Sequence, residues 1–216
     1  MPTHDTLEVR PFVLGDFQTN CYIVRNTETD SGFVVDCGFE PAELLLAAAE
    51  LPQPPEVLLL THAHVDHIAG LYEARDRFPR TPIWIHRQEE LWLTDAERNL
   101  SALAGAPITA PAAERLLDHG ETLHLAGHEW RVLHTPGHSP GGAVFHCERA
   151  GLAFVGDAIF SGSIGRTDFP GSSFETLADA IRHHIYTLPR DTVLYPGHGP
   201  ATTVAQEAAS NPFVKA

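Results

Sequence analysis

Residues 61–67 read THAHVDH, three histidines and an aspartate inside seven positions. The run VLLL (57–60) precedes them and IAGLYEARDRF (68–78) follows, with Ile68, Leu71, Tyr72 and Phe78 at near-helical spacing. The stretch therefore lies where a buried strand gives way to a helix, and strand-end loops are where a rigid scaffold presents reactive side chains. Taken singly, His62 or His67 reads as a polar loop residue and Asp66 as a helix N-cap. As a unit, HxHxDH is a metal-binding pattern. His62 and His64, two apart on extended chain, can point the same way, while Asp66 and His67 turn into the helix and can serve a neighbouring ion.

Three more strand ends carry ligand-type residues. VLHTPGHSPGG (132–142) holds His138, FVGDAIF (154–160) holds Asp157, and LYPGHGP (194–200) holds His198. In an α/β protein, strand ends on one sheet edge converge on one crevice, so these four segments can meet. Neutral imidazoles and carboxylates suit zinc, iron or manganese, and an open coordination position lets such an ion acidify a bound water. A carboxylate such as Asp157 can bridge two ions. His86, His119, His124, His128, His134, His146, His183 and His184 have no partners at ligand spacing and read as ordinary residues. Cys37, beside Asp36, reads as a small buried residue, and GSIGRTDFPG (162–171) lacks the Gly-Lys-Ser/Thr ending of a phosphate loop and reads as a substrate-facing turn.

Around these motifs, LEVRPFVLG (7–15), NCYIVRN (20–26), GFVVDCG (32–38), EVLLLTH (56–62), TPIWIH (81–86), ETLHLAG (121–127), HEWRVLH (128–134), GAVFHC (142–147) and GLAFVGD (151–157) read as strands, and DTVLYPGHG (191–199) as a strand running into a turn. PAELLLAAAELP (41–52) and FETLADAIRHHIYTL (174–188) read as helices, the second with Phe174, Leu177, Ala178, Ile181, Ile185 and Leu188 on one stripe. Residues 87–118 read as helical and irregular, a lid or substrate-facing insertion. Strands and helices alternate without a linker, so residues 1–216 are expected to form one mixed α/β domain.

Composition narrows the function. A hydrophobic fraction of 43% and a charged fraction of 19% are those of a globular protein, and a formal charge of -14 argues against nucleic-acid or anionic-membrane partners, which need a basic footprint. Three scattered cysteines exclude a CxxC metal site and suit reduced thiols. The first residues show no export signal and no segment has the length of a membrane span, so a cytoplasmic location is expected.

The ordered set THAHVDH, PGHSPG, VGDAIF and YPGHGP resembles the metallo-β-lactamase superfamily, and GDAIFSGSIGRTDFPG and TLPRDTVLYPGHGPATT followed by NPF look like its glyoxalase II branch, in the shorter bacterial type of hydroxyacylglutathione hydrolase. The resemblance implies a four-layer αβ/βα sandwich, two mixed β-sheets flanked by helices, with a dinuclear site at one edge. It implies that one divalent ion takes His62, His64 and His138, that a second takes Asp66, His67 and His198, and that Asp157 bridges them. Zinc is the expected metal, with iron or manganese as alternatives. Asp36, ending GFVVD, matches the family's supporting aspartate, which orients a ligand histidine. The implied reaction is hydrolysis of a small-molecule thioester, S-D-lactoylglutathione or similar, by a metal-bridging hydroxide, as in methylglyoxal detoxification. Asp66 would orient the water and Arg166, in IGRTDF, would meet a substrate carboxylate.

The longer glyoxalase II enzymes carry a helical C-terminal domain that supplies much of the glutathione site, whereas 18 residues follow His198 here (216 less 198). Other chemistries on the same fold remain open at this stage: a mono-iron persulfide dioxygenase, which shares the GRTDF stretch, a lactonase or other ester hydrolase, and a metal-storing or redox-sensing protein with no turnover.

Overall fold

The structure, a computed structural model, describes residues 3–103 and 105–216. Seven strands in chain order form the first sheet: β1 (Thr3–His4), β2 (Leu7–Leu14), β3 (Thr19–Asn26), β4 (Gly32–Val35), β5 (Leu58–Leu59), β6 (Ile83–His86) and β7 (Arg115–Leu117). Strands β1 to β4 pair antiparallel and β4 to β7 parallel. The second sheet holds β8 (Thr122–Leu125), β9 (His128–His134), β10 (Ala143–Cys147) and β11 (Leu152–Gly156), joined after a short hairpin, β12 (Ile159–Phe160) and β13 (Ser163–Ile164), by β14 (Val193–Pro196) and β15 (Thr202–Thr203). Its one parallel pair is β11 with β14.

The central strands of both sheets bury both faces, and the period of two in a strand sorts side chains between the layers. On β3, Tyr22 and Val24 join the apolar cluster between the sheets, while Cys21 and Ile23 join the cluster under the helices. On β11, Leu152 and Phe154 point between the sheets and Ala153 and Val155 towards the other helical layer. The outer layers are α1 (Ala42–Ala49), α2 (Val65–Ile68) and α3 (Leu71–Arg77) on one side, and α4 (Phe174–Ala180) and α5 (Val204–Ser210) on the other. Between the sheets, Trp130 packs edge-on to Phe33 and stacks with Phe154, with ring centroids 5.2 and 5.7 Å apart. The four-layer αβ/βα sandwich expected from the sequence is thus the observed architecture.

Three local expectations change. Residues 87–118 are not simply helical and irregular: they include a 3-10 turn at Arg87–Trp92 and the edge strand β7, which was too short to show as one. Arg115 of that strand lays its guanidinium 4.5 Å over the Trp84 ring of β6. The helix read over 174–188 gives way to a π-helical turn at Ile181–Ile185, and Phe174, placed on its apolar stripe, is exposed. Asp66 is not an N-cap: α2 starts at Val65, and its N-cap, two positions before Asp66, is His64 in extended conformation.

Candidate metal centre

Each motif sits at the C-terminal end of a strand. β5 delivers Thr61 to His67, β9 the turn containing His138, β11 Asp157, β14 His198 and β4 Asp36. The ends of the two sheets are tied together beneath the site. Thr19 and His198 form an isolated antiparallel bridge, Asn20 donates from its side chain to the carbonyls of Pro196 and Gly199, and the Tyr22 hydroxyl donates to Pro196 O at 2.6 Å. On the far side, Ala143 N donates to Thr61 O, so β10 holds the stretch from which His62 and His64 project.

The seven ligand-type residues named from the sequence meet there. Three groups form, each with its ligand atoms within 4.8 Å of one another: His62, His64 and His138; His62, His67 and Asp157; and Asp66, His67 and His198. Asp157 lies between the outer two, 3.4 Å from His138 Nε2 through one oxygen and 3.4 Å from His67 Nε2 through the other. The Nε2 atoms of His62, His64 and His67 and Asp157 Oδ1 are buried without a hydrogen-bond partner. His198 Nε2 stands 3.2 Å from Asp66 Oδ2. Atoms bound tetrahedrally at about 2.1 Å to a common ion stand about 3.4 Å from each other. The cluster therefore has the spacing of ligands around cations, and its His and Asp groups suit a dinuclear metal site.

Surrounding groups fix which nitrogen faces that space. His67 Nδ1 is held 2.8 Å from Asp36 Oδ2, and His138 Nδ1 is 2.8 Å from the carbonyl of Arg166, so each ring turns Nε2 inward. Asp36 has φ +57°, and its carboxylate also accepts from Thr61 N and Thr61 Oγ1. Two glycines allow this packing: a Cβ on Gly197 would collide with Asp157 Oδ1 and come within 2.7 Å of His67 Cε1 in the ligand space itself, and one on Gly165 would collide with the Asp157 carbonyl and come within 2.9 Å of His138 Nδ1 behind it.

The electrostatics divide the site. Burial, with the neighbouring imidazoles, holds His62 well below 6.5, and burial beside His138 brings His64 down to about 3, so both are neutral ligands at pH 7. Burial lowers His138 as well, against the pull of Asp157. For His67, burial acts downward but Asp66, Asp157 and Asp36 outweigh it and hold the ring well above its usual range. His198 is likewise lowered by burial, yet its bonds to Asp157 and Asp66 push it up to about 9. Burial would raise Asp66, but the His67 charge and the bonds from His198 and Thr19 bring it down to about 2. The carboxylates around His67 and His198 thus favour positive charge at this place.

Sequence reasoning missed several residues that build the site. Glu89 is fully buried and accepts from the backbone N–H of Ala63, between His62 and His64, and from that of Gly141, three residues beyond His138. Burial raises its carboxyl above the ordinary range. Thr19 donates to Asp66 Oδ2 at 2.8 Å. The only local signal for Glu89 was an acidic residue three positions before a Trp in RQEELW. Arg166 lines the pocket over the cluster, but its guanidinium is paired through two bonds with Asp168 and lies 4.4 Å over the Phe169 ring. The described residues place none of the eight other histidines in a group of metal-ligand spacing; His86 and His134 instead stack with centroids 4.0 Å apart.

Residues 14–198 match the model of the metallo-β-lactamase superfamily, and the chain belongs to that superfamily of metallo-hydrolases. It is 37% identical over 206 residues to a probable metallo-hydrolase, YqgX, of Bacillus subtilis, covering 95% of this chain and 96% of that one. It is 36% identical over 200 residues to the hydroxyacylglutathione hydrolase GloC of Haemophilus influenzae, covering 92% and 93%. Among solved structures it is similar to the B3 metallo-β-lactamase BLEG-1 (TM-score 0.90, 38% identity, 97% of this chain and 100% of that one) and to TTHA1623 in a di-iron-bound form (TM-score 0.83, 35% identity, 95% and 100%). No helix among the described residues is long and apolar enough to cross a membrane.

Proposed function

We propose that this chain hydrolyses glutathione thioesters, S-D-lactoylglutathione or a close relative, to a hydroxy acid and glutathione in the cytoplasm, with zinc as the resident metal and iron or manganese able to replace it. The observation that carries the reading is the convergence of seven ligand-type side chains with four orphaned buried ligand atoms among them; similarity to a hydroxyacylglutathione hydrolase supports the thioester as substrate. His62, His64 and His138 would hold one ion, Asp66, His67 and His198 the other, with Asp157 between them. When bound, such ions supply a Lewis acid for the thioester carbonyl and a water acidified towards neutrality.

The chain's own residues do the rest. Asp36 and the Arg166 carbonyl keep His67 and His138 in the tautomer that faces inward. Asp66, one oxygen tied by Thr19, offers the other to orient the attacking water. A thiolate leaves readily, so the absence of a second acid to protonate it is no obstacle. Arg166 can meet a substrate carboxylate only by exchanging Asp168 for it, and a guanidinium makes that exchange with its paired geometry intact. Nothing in a charge of -14 favours nucleic acid or an anionic membrane as partner.

The test is release of glutathione from S-lactoylglutathione by metal-loaded protein under nitrogen. Efficient release is expected; no release would remove this substrate and favour the mono-iron persulfide dioxygenase, or a hydrolase whose substrate is not a glutathione thioester. Asp157→Ala is expected to lose metal and activity together, so full activity with full loading in that variant refutes the site. Arg166→Ala should raise KM for an anionic thioester with kcat little changed.

A further inference from the structure

The wall facing the ligand cluster across the pocket is apolar and comes from the segment between β6 and β7. The pocket over the cluster, about 410 Å³, is lined from this segment by Asn99, Leu100 and Leu103 and elsewhere by Phe17, Phe160 and Phe169. Leu100 and Leu103 also line a neighbouring hollow of about 470 Å³, floored by Trp92, Ala102 and Pro170. The two spaces adjoin along the two leucines, which line both and make the wall of a groove leading away from the ligands. Arg98 and Asn99 beside it are matched: Arg98 pairs with Asp95, and the Asn99 side chain donates to Ile108 O and accepts from Ser101 N, while the exposed Glu97 lies at the rim of the second hollow.

Leu100 is held there against its own preference. Its φ is +69°, the left-handed region, costly for a bulky side chain and ordinarily given to glycine. The surrounding loop enforces it: the Asn99 carbonyl accepts from Val65 N at the start of α2, directly after His64, and Ser101 Oγ bonds Ile108 at both N and O. Leu103 leaves 72% of its surface exposed beside it. A leucine in a glycine conformation, tied by backbone to a ligand-bearing segment, together with a second leucine left in solvent, has no packing explanation among the described residues. Both are accounted for if an apolar part of the substrate covers them.

We infer that Leu100 and Leu103 select the acyl group, so that the site hydrolyses thioesters whose acyl chain is apolar and longer than lactoyl, the chain lying in the groove towards Trp92 and Pro170. This rests on the thioesterase reading and extends it to the acyl side. In the reaction water adds to the acyl carbon, the C–S bond breaks, and carboxylic acid and thiol leave; the groove binds the part of the acid that does not react. Burying each added methylene is worth about fourfold in binding, so kcat/KM should rise about tenfold or more from acetyl to butanoyl and continue to hexanoyl.

The experiment is a series of S-acylglutathiones, acetyl to octanoyl with lactoyl alongside, on the metal-loaded protein and its Leu100→Gly and Leu103→Ser variants. Binding of the non-hydrolysable S-methyl and S-hexylglutathione is measured by calorimetry in parallel. The expected result is a rising series in the natural chain, tighter binding of the hexyl thioether, and loss of both trends in each variant. Leu100→Gly should meanwhile keep or raise the thermal midpoint, since glycine suits that φ, which separates a substrate role from a folding one. A series that is flat or falls with chain length, while lactoylglutathione is hydrolysed, overturns the acyl assignment and leaves the thioesterase standing. No hydrolysis at any chain length overturns both.

Discussion

Glu89 shows how much one side chain can hold at the scale of a residue. It is a carboxylate with no exposed surface, and its two oxygens take backbone N–H groups from both stretches that carry the first trio of histidines. Glu89→Ala would leave both donors buried without partners, at about 1–3 kcal/mol each, so urea denaturation should show a loss of about 2–6 kcal/mol. Glu89→Gln keeps one carbonyl acceptor and should recover about half of it; an alanine variant within 0.5 kcal/mol, about the spread of ordinary surface changes, would show that the clamp is idle. Asp36 works on the other trio. Replacing it by Ala frees His67 Nδ1, and metal affinity measured by competition with a chelator should fall by about 10–100-fold. These two residues differ in legibility. Asp36 ends a recognisable strand, GFVVD, whereas Glu89 reaches partners 26 and 52 positions away and looks in sequence like a surface glutamate in RQEELW.

Among the elements, strands and their ends were the most readable. Runs such as GFVVD and GLAFVGD announce buried strands, and the ligand motifs stand where those runs break at glycine or proline. The edge strand β7 and the π turn after α4 were not readable, because a three-residue strand has no period and a π turn keeps a helix's composition. The break after β14 carries its own prediction. Gly197 lies against Asp157 and His67 so closely that an added methyl group must displace one of them. Gly197→Ala should fold, since the strand before it is untouched, but bind less metal than the natural chain, read by elemental analysis after dialysis. Full stoichiometry in that variant would show that Gly197 does not bound the cation space.

For the whole molecule, the two sheets and the metal act on one another. In the metal-free protein the His198 pKa is raised from 6.5 to about 9, so its contribution to stability is full below pH 6.5 and lost as pH rises through about 9. That of Asp66, lowered from 3.8 to about 2, is present above pH 3.8 and lost as pH falls through about 2. A metal entering between them must displace the protons on His67 and His198. Loading at pH 7.5 should therefore release about two protons, seen as a dependence of the calorimetric heat on buffer ionisation enthalpy. Release of none would mean that the histidines are already neutral. At a hundredfold excess over Kd the metal should add about 2.7 kcal/mol, or roughly 5–10 °C in Tm, and a chelator should remove it.

The sequence by itself determined a mixed α/β unit and the identity of the seven side chains that gather at the site, because strand runs, their glycine breaks and the HxHxDH pattern are local and each is carried by adjacent residues; the layered sandwich came with the resemblance to the family that those motifs carry. Only the tertiary structure decided which nitrogen of His67 and His138 faces inward, that Thr19 and Asn20 of one sheet lock the Asp66 and His198 loops, that Asp168 already occupies Arg166, and that Leu100 and Leu103 line the pocket over the cluster. These depend on hydrogen bonds and packing between segments far apart in the chain, such as the 179 positions from Asn20 to Gly199, and contacts of that kind leave no periodic trace in either partner.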